Sequence, residues 1–429
     1  MNPVLRLAYV AAGLLAQAAT SLVPPGGGKL RRSLAARRGV RRRIAEWGGR
    51  DPSRPLLWMH APSVGEGLQA RPVLADLRRR RPRLQLAYTY FSPSAIDLAN
   101  RLDVDFRDVL PFDTPAAARA ALDALRPDAL VFSKLDVWPV LVGEAAARRT
   151  ALGLISATLP AGSSRLRGVA PRLLRDAYTA LDAVGAISAD DAERLVALGC
   201  RRDAVTVTGD TRFDQVWSRA AAADRSGPLL SPLRASRPTL VAGSTWPADE
   251  RELLPAIEAA RSRHPELRLV IAPHEPTAEH LAPIERWAAR TGARWARLGA
   301  LAAAAADIVI VDRVGVLGEL YALADIAFVG GAFHGAGIHS VLEPAAYGVP
   351  VLFGPRHGNS REASLLVVTG GARTVDGVDE LRASLLGWLD DAAARAAAGE
   401  AARRLVQENL GATERSVALV ESLLAGPRR

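Results

Sequence analysis

From residue 56 onward, short continuous apolar runs alternate with longer stretches whose apolar residues recur at helical spacing, as in 115–125. Continuous apolar runs are typical of strands buried on both faces, and helices between them predict parallel sheets covered on both sides. The pattern therefore predicts an α/β protein with two similar halves. The predicted strands lie at 56–60, 85–90, 129–133, 151–156, 183–187 and 205–208, and then at 239–242, 268–272, 308–311, 326–329 and 351–353.

Between the halves, residues 220–238 contain Ser-Gly-Pro, Ser-Pro and Arg-Pro steps, which are typical of linkers. A chain of 429 residues exceeds the size of one comfortable core, so two domains are expected. We predict doubly wound, Rossmann-like domains at 51–219 and 239–390, with the carboxyl ends of both sheets along a shared cleft. The Ala/Arg-rich tail, 391–429, is expected to be helical and to pack back on the first domain.

The N-terminus has a different pattern. Residues 4–23 are apolar apart from Arg6 and Gln17, and the run is long enough to cross a hydrocarbon core or to lie along its surface. Cations that follow an apolar helix are retained in the cytoplasm and attracted to anionic headgroups, so residues 1–50 predict a membrane anchor with a basic segment. Two alternatives remain open: a cleaved signal peptide, with 16–18 as its cleavage site, and a helix packed on the first domain.

Charge is concentrated in that basic segment. Residues 29–50 contain nine basic residues and one acid, Glu46, in a chain of net charge +10. Basic residues confined to one segment, with Trp47 as the one aromatic among them, argue against a nucleic-acid partner. Cys200 is the only cysteine, which excludes an internal disulfide and is expected to be a small buried apolar residue in a reducing compartment.

The segment 328–344 reads as a buried strand, a glycine-rich loop and a helix start with a carboxylate one turn in. Glycines allow close approach of a ligand, and a helix N-terminus favours an anion. The segment predicts a phosphate and ribose pocket, in which Glu343 faces ribose hydroxyls while His339 and Ser340 donate to phosphate. The alternative is a glycine-rich turn without a ligand. No Cys/His cluster or paired-acid spacing indicates a metal, and no cofactor is predicted.

Several motifs occur in one order over the body of the chain, roughly residues 56–424, which resembles the 3-deoxy-D-manno-octulosonic acid (Kdo) transferases of lipopolysaccharide synthesis. These enzymes have two Rossmann-like domains in the arrangement called GT-B. Besides the glycine-rich segment, the motifs are His60-Ala-Pro-Ser-Val-Gly-Glu66, Tyr90-Phe-Ser-Pro-Ser94, Leu110-Pro-Phe-Asp113, Gly209-Asp-Thr-Arg-Phe-Asp214, Ala242-Gly-Ser-Thr-Trp-Pro247, Ala272-Pro-His-Glu-Pro276 and Gly354-Pro355.

The resemblance implies an inverting, metal-independent transferase that moves Kdo from CMP-Kdo to a lipid A precursor, lipid IVA, on the cytoplasmic face of the bacterial inner membrane. Glu66 would be the general base, although a first-turn acid that only complements the helix dipole has the same sequence signature. Ser63, Gly65 and Ser92 would lie on the acceptor side, in the N-terminal domain. The donor would be bound by Ser244, Thr245, His274, Gly315, Gly330, Gly331, Gly337, His339, Ser340, Glu343 and Asn359.

Two other functions fit the same motifs. One is a nucleotide-sugar glycosyltransferase of this architecture with a different donor, and the other is a catalytically silent, membrane-tethered homologue that binds a sugar nucleotide. The chain also departs from many relatives, with Lys134-Leu-Asp-Val-Trp-Pro139 in place of Glu-x-Glu-Leu-Trp-Pro and Pro273-His274-Glu275 in place of Pro-Arg-His.

Overall fold

The computed structural model describes residues 3–22, 28–335 and 337–426; Val23 of the apolar N-terminal run and Ala336 of the glycine-rich segment lie outside them. The chain forms two compact units, Met1–Asp214 with Leu410–Arg429, and Gln215–Asn409. The boundary falls inside a helix, so residues 220–238 lie within the second unit. The last helix of the chain belongs to the first unit.

The first unit contains a seven-stranded parallel sheet with strand order β3-β2-β1-β4-β5-β6-β7. Its central strands are fully buried because helices cover both faces. The order reverses between β1 and β4, and such a switch point is where ligands bind in open α/β sheets. The strands are β1 Leu56–His60, β2 Gln85–Tyr90, β3 Phe106–Val109, β4 Ala129–Ser133, β5 Ala151–Ala157, β6 Ala183–Ala186 and β7 Val205–Val207.

Helices surround this sheet. The last helix of the chain, α18, covers the sheet through Val417, Val420 and Leu423. The helices are α1 Pro3–Leu22, α2 Lys29–Ala36, α3 Val40–Ala45, α4 Val64–Arg80, α5 Ile96–Asn100, α6 Pro115–Leu125, α7 Pro139–Ala147, α8 Ala170–Thr179, α9 Ala189–Leu198, the boundary helix α10 Thr211–Ala221, and α18 Ala412–Ala425.

Helix α1 has one face on the first unit and another in solvent. Tyr9 donates to Asp113 Oδ2 at 2.9 Å, and Arg38 Nε donates to the carbonyl of Thr20 at 2.8 Å. The opposite face is apolar and exposed, with exposed fractions of 50 to 74% at Val4, Leu7, Leu14 and Leu15. Across the ranges that the structure describes, no helix combines the length and the apolar character needed to cross a membrane.

Part of the basic segment is used inside the fold. Arg37 is buried, stacks on Phe91 at 3.9 Å and donates to the Phe91 carbonyl at 2.9 Å. Arg43 forms an ion pair of 2.7 Å with Asp108. The exposed cations of this segment include Arg31, Arg32, Arg41 and Arg42.

The second unit repeats the architecture, with strand order β10-β11-β9-β8-β12-β13-β14 and a switch point between β8 and β12. Its strands are β8 Thr239–Thr245, β9 Arg268–Pro273, β10 Trp295–Arg297, β11 Ile308–Ile310, β12 Ile326–Val329, β13 Val351–Phe353 and β14 Ala372–Thr374. Its helices are α11 Pro247–Arg263, α12 Ala278–Arg290, α13 Leu317–Leu320, α14 Leu342–Ala346, α15 Arg361–Val368, α16 Val378–Asp390 and α17 Ala392–Glu408.

These two parallel-sheet units confirm the predicted fold class. Every predicted strand is present, and β1, β2, β4, β12 and β13 have the predicted bounds. Three strands were not predicted, namely β3, β10 and β14. Cys200 is buried as expected, and burial raises the pKa of its thiol to about 12.

Candidate active site

In the first unit, polar side chains gather where β1 and β4 end, at the switch point of the sheet. Glu66 lies in the first turn of α4, which follows β1. Its Oε1 accepts a hydrogen bond from Lys134 Nζ at 3.0 Å, and its Oε2 accepts one from Ser63 Oγ. Ser133, at the end of β4, donates through its hydroxyl to the Glu66 carbonyl at 3.1 Å. The residues after both switch-point strands therefore converge on Glu66.

The electrostatics of this carboxyl group follow from those contacts. Only 14% of the Glu66 side chain is exposed. Burial raises the pKa of Glu66, but the hydrogen bond from Ser63 and the positive charge of Lys134 outweigh burial and hold the pKa below its ordinary value. Glu66 is therefore ionised at neutral pH, the form that can accept a proton, and it is a weakly basic carboxylate.

An aromatic cluster supports this end of the sheet. Trp138 Nε1 donates to Nε2 of His60 at 3.1 Å, and the other ring nitrogen of His60 lies 3.0 Å from the Thr89 hydroxyl. Trp138 also stacks on Phe91, with ring centroids 5.2 Å apart. Burial lowers the pKa of His60 to about 3, so the ring is neutral. Trp138, which directly precedes Pro139 at the start of α7, thus holds this helix against the ends of β1 and β2.

The predicted acceptor-side residues lie on two joined loops. The backbone amides of Phe91 and Ser92 donate to the Pro62 carbonyl at 3.0 and 2.7 Å, which joins the loop after β2 to the loop after β1. Ser92 Oγ accepts from the Ser94 amide and so caps a short 3₁₀ helix. Gly65 is exposed in the first turn of α4. Ser63, Gly65 and Ser92 therefore share the region in which α4 begins.

In the second unit, a buried carboxylate joins the loops at the β8/β12 switch point. Asp249, in the first turn of α11, accepts hydrogen bonds from three backbone amides: Trp246 at 2.9 Å, Gly331 at 2.8 Å and Phe333 at 3.1 Å. Gly330 allows the two loops to approach, since a Cβ there would collide with the carbonyl of Ser244. Asp249 therefore fixes the shape of the glycine-rich loop.

Three histidines and one tryptophan stack above this switch point. The Trp246 indole is nearly parallel to His334, with centroids 5.0 Å apart, and to His274, at 4.7 Å. His274 also stacks on His339 at 4.3 Å, and Trp246 Nε1 donates to His339 Nε2 at 3.1 Å. Burial and the neighbouring His274 lower the pKa of His339 to about 4, so this imidazole is neutral. The stack is a flat aromatic wall in which the His339 ring carries no charge.

The second half of the glycine-rich loop is held by Asn359. Its Oδ1 accepts from the Ile338 amide and its Nδ2 donates to the Ile338 carbonyl, both at 3.1 Å. Gly337 has φ +84°, and a Cβ at this position would collide with the Asn359 amide. Asn359 is thus a backbone brace beside the predicted pocket.

Glu343 lies in the first turn of α14 and is partly buried. Arg219 Nη1, from α10, donates to Glu343 Oε1 at 3.1 Å. Burial raises the pKa of Glu343, and the positive charge and hydrogen bond of Arg219 oppose that rise. The geometry supplies a carboxylate that faces a cation from another helix of the same unit.

The remaining predicted donor residues differ in their surroundings. Thr245 is fully buried, and its hydroxyl donates to Glu250 Oε1 at 2.8 Å, so it braces α11. Ser244 has a left-handed backbone, φ +53°, at the end of β8. Ser340 is exposed, and Gly315, with φ +89°, lies in the loop between β11 and α13. The close cluster therefore comprises His274, His339 and the loop that contains Gly330, Gly331 and Gly337.

Sequence reasoning missed several residues of both sites. Lys134 and Arg219 approach the two carboxylates from 68 and 124 residues away, which no local motif can indicate. Trp246 and His334 stand inside quoted motifs and were not given a role. Asp249 could have been recognised from the local sequence, because an acid three residues after the N-cap position is typical of a capping box.

Within the described part of the chain, no group of three or more His, Cys, Asp or Glu residues is arranged to hold a metal ion.

Comparison with known proteins assigns the chain to one family, through matches that cover up to 89% of it. A family model described as 3-deoxy-D-manno-octulosonic-acid transferase (kdotransferase) matches residues 33–215. A 3-deoxy-D-manno-octulosonic acid transferase of Bordetella pertussis is 31% identical over 398 residues, which cover 89% of this chain and 91% of that protein. The chain belongs to the Kdo transferase family. A Kdo transferase of Haemophilus influenzae is 25% identical, with 86% and 87% of the two chains covered.

Solved structures show the same fold at low sequence identity. The UDP-GlcNAc 2-epimerase of Neisseria meningitidis, bound to UDP-GlcNAc, matches with a TM-score of 0.63 and 14% identity, over 86% of this Kdo transferase family member and 100% of the epimerase. The UDP-GlcNAc 2-epimerase of Methanocaldococcus jannaschii matches with a TM-score of 0.56 and 14% identity, over 82% and 99% of the two chains. The confirmed fold class is thus shared with proteins of another activity.

Proposed function

We propose that this protein is an inverting glycosyltransferase that moves Kdo from CMP-Kdo to a lipid A precursor, with Glu66 as the general base. The observation that carries the proposal is the position of Glu66. In a chain of the Kdo transferase family, an ionised carboxylate lies at the switch point of the first sheet, on an accessible helix start. Ligand sites of doubly wound folds occur at such points.

The reaction follows from this carboxylate. The acceptor hydroxyl oxygen attacks the anomeric carbon of Kdo, and the bond from that carbon to the CMP phosphate oxygen breaks. The electron pair of that bond leaves with CMP. Glu66 takes the hydroxyl proton as the new glycosidic bond forms and later releases it to solvent. Because attack and departure occur on opposite faces of the carbon, the configuration inverts.

We assign binding of the CMP-Kdo donor to residues of the second unit. The glycine-rich loop and the His274/His339 stack would contact the phosphate, where the neutral His339 imidazole donates a hydrogen bond. Glu343 would accept hydrogen bonds from ribose hydroxyls, which requires the ionised carboxylate that Arg219 favours. His274 stands where many relatives have arginine, so phosphate binding would rest on hydrogen bonds more than on a fixed cation.

The location of the reaction is the third part of the proposal. We place the protein at the cytoplasmic face of the bacterial inner membrane, with α1 along the lipid surface. Its exposed residues Val4, Leu7, Leu14 and Leu15 form an apolar stripe, and the exposed arginines follow shortly after in the chain. An apolar helix face combined with cations is typical of interfacial anchors.

The test of the function is Glu66→Gln. The amide keeps the size of the side chain but cannot take a proton, so turnover should fall by about a hundredfold or more while CMP binding stays intact. Transfer is measured with CMP-Kdo and a tetra-acylated lipid A precursor, with mass spectrometry of the lipid product.

The matched control is Glu414→Gln, which removes an exposed first-turn carboxylate of α18. This variant should retain full turnover. Near-normal turnover of Glu66→Gln would reduce Glu66 to a helix-dipole partner, and absence of any transfer by the unaltered protein would overturn the proposed donor and acceptor.

A further inference from the structure

Lysine is rare in this chain. Only two of its 55 basic residues are lysines, Lys29 and Lys134, and all the others are arginines. Arginine offers a flat fork of donors, whereas lysine offers a compact ammonium with three donors on a flexible stem. The lysine beside the candidate base therefore stands out against a strong compositional preference.

The backbone at Lys134 is unusual as well. The residue directly follows β4 and has φ +72°, in the left-handed region that side chains other than glycine rarely adopt. Its amide still donates to the Ile155 carbonyl at 2.9 Å, which holds the turn to the neighbouring strand β5. Such strain is found at functional sites when the surrounding structure enforces it.

The ammonium of Lys134 contacts a mostly buried partner, while the lysine side chain itself is partly exposed to solvent. It lies 3.0 Å from Glu66 Oε1, and 41% of its side chain is exposed against 14% for Glu66. Asp136, two residues further on, pairs with Arg165, so that acidic and basic side chains alternate along this edge. One of the three N–H donors of Lys134 contacts Glu66, which leaves capacity for an anion that arrives from solvent.

The proposed reaction brings such an anion to this place. Kdo is a sugar acid whose carboxylate is bonded to the anomeric carbon, the atom that the acceptor attacks. A general base must lie within about 3.2 Å of the attacking oxygen, which approaches that carbon to about 3.5 Å. Two carboxylates, one of the base and one of the sugar, are therefore brought close together. Like charges at such separations oppose each other unless a cation lies between them.

We propose that Lys134 binds the carboxylate of the Kdo residue during transfer, turning from Glu66 Oε1 toward the sugar and so freeing that oxygen to accept the acceptor proton. The inference rests on the proposed function, in which Glu66 is the base and Kdo the transferred sugar. It assigns to Lys134 two linked effects: neutralisation of the sugar carboxylate and release of the base.

The scarcity of lysine allows a direct test. The full-length protein is treated with an amine-acetylating reagent, and acetylation of Lys134 is followed by peptide mass spectrometry with Lys29 as the internal reference. CMP-Kdo without acceptor should slow acetylation of Lys134 by about tenfold, whereas CMP, which lacks the sugar acid, should have little effect. Equal protection by CMP and CMP-Kdo, or protection by neither, would overturn the proposal.

Variants test the role in transfer. Lys134→Met removes the charge and should lower kcat/KM with CMP-Kdo by about a hundredfold, while Lys134→Arg should retain activity within about tenfold because it keeps a cation. With a donor whose sugar carboxylate is replaced by a carboxamide, a slow substrate for all three proteins, the loss caused by Lys134→Met should shrink to about threefold or less. An equal loss with both donors would mean that Lys134 only positions Glu66.

Two further arms separate the alternatives. If the Lys134→Met defect disappears with an acceptor that lacks a phosphate, and persists with the carboxamide donor, the anion is the acceptor phosphate and the assignment to the sugar is wrong. An unchanged thermal unfolding midpoint, together with unchanged CMP affinity by calorimetry, shows that the variant is folded, and the acetylation measurement needs no variant. If the unaltered protein catalyses transfer and Lys134→Met does not reduce it, this inference is wrong and the proposed function is unaffected. If the unaltered protein catalyses no transfer, the proposed function itself is wrong.

Discussion

Glu66 and Glu343 are both first-turn carboxylates of helices that follow a sheet strand, yet their acidities shift in opposite directions. For Glu66 the Ser63 hydroxyl and Lys134 outweigh burial and the pKa falls, whereas for Glu343 burial outweighs Arg219 and the pKa rises. The motifs predicted both carboxylates from local sequence. The directions of the two shifts depend on how strongly each carboxyl is buried relative to its hydrogen bonds and to a cation distant in the chain, so they could not be predicted without the fold.

Replacement of Arg219 by methionine tests the role of Glu343. Loss of the cation should raise the pKa of Glu343 further, so that a larger fraction is protonated at mildly acidic pH and cannot accept from ribose hydroxyls. The dissociation constant of CMP should therefore rise more at pH 6 than at pH 8, by an additional factor of about three to ten. Calorimetry at the two pH values measures the difference.

The control for that experiment is Arg290→Met, at the exposed end of α12, which should leave CMP binding unchanged at both pH values. Glu343→Ala should weaken CMP binding at both pH values by about 1 to 3 kcal/mol. If CMP affinity is insensitive to both Arg219→Met and Glu343→Ala in folded proteins, Glu343 is not part of the nucleotide site.

At the scale of elements, the sequence predicted central strands well and edge strands poorly. The central strands β1 and β4 are buried along their whole length, so each is a continuous apolar run with clear ends. The strands that were not predicted, β3, β10 and β14, all lie at sheet edges. An edge strand has one partner and less cover, so polar residues such as Arg107 and Asp108 in β3 interrupt the apolar pattern.

Helix α1 provides a test of the membrane proposal. Replacing Leu7, Leu14 and Leu15 by glutamate places charges on the exposed apolar stripe, so binding to anionic phospholipid vesicles should weaken by about tenfold or more. Replacing Arg31, Arg32, Arg41 and Arg42 by glutamine should instead make the remaining binding less sensitive to salt. Vesicle co-sedimentation at low and high salt measures both effects.

The matched control replaces Leu301 and Val368 by glutamate, two exposed apolar residues of the second unit, and should leave vesicle binding intact. Arg37 and Arg43 are kept in all variants because they contact Phe91 and Asp108 within the fold. Unchanged sedimentation of the α1 variant would place the membrane contact elsewhere.

For the whole molecule, each unit contains a neutral histidine at its switch point, fully buried in the case of His60 and half-buried in the case of His339. The pKa of His60 is lowered to about 3 and that of His339 to about 4, both chiefly by burial, against about 6.5 in an unfolded chain. Below pH 6.5 these two rings are therefore protonated in the unfolded state but remain unprotonated in the folded state. Above pH 6.5 these histidines do not change the free energy of unfolding. As the pH falls from 6.5 toward their pKa values in the folded state, they lower the free energy of unfolding progressively.

Chemical unfolding between pH 7.5 and 4.5 should therefore show a free energy of unfolding that decreases as the pH is lowered below about 6.5, where His60 alone contributes a slope of up to about 1.4 kcal/mol per pH unit. The contribution of His339 should be smaller, since this ring is partly exposed. His60→Gln should flatten the pH dependence while lowering stability at neutral pH. The same slope in the variant and the unaltered protein would show that His60 is not the titrating group.

The first unit is built from two separate stretches of chain, and this arrangement determines when the unit can finish folding during synthesis. Its sheet is complete after Val207, but Val417, Val420 and Leu423 of α18 arrive only after all of Gln215–Asn409 has been translated. At about 5 to 20 residues per second, that delay is on the order of 10 to 40 seconds. Throughout it, the apolar surface around Gly153 and Val131, against which Leu423 later packs, stays open to chaperones and to other nascent chains.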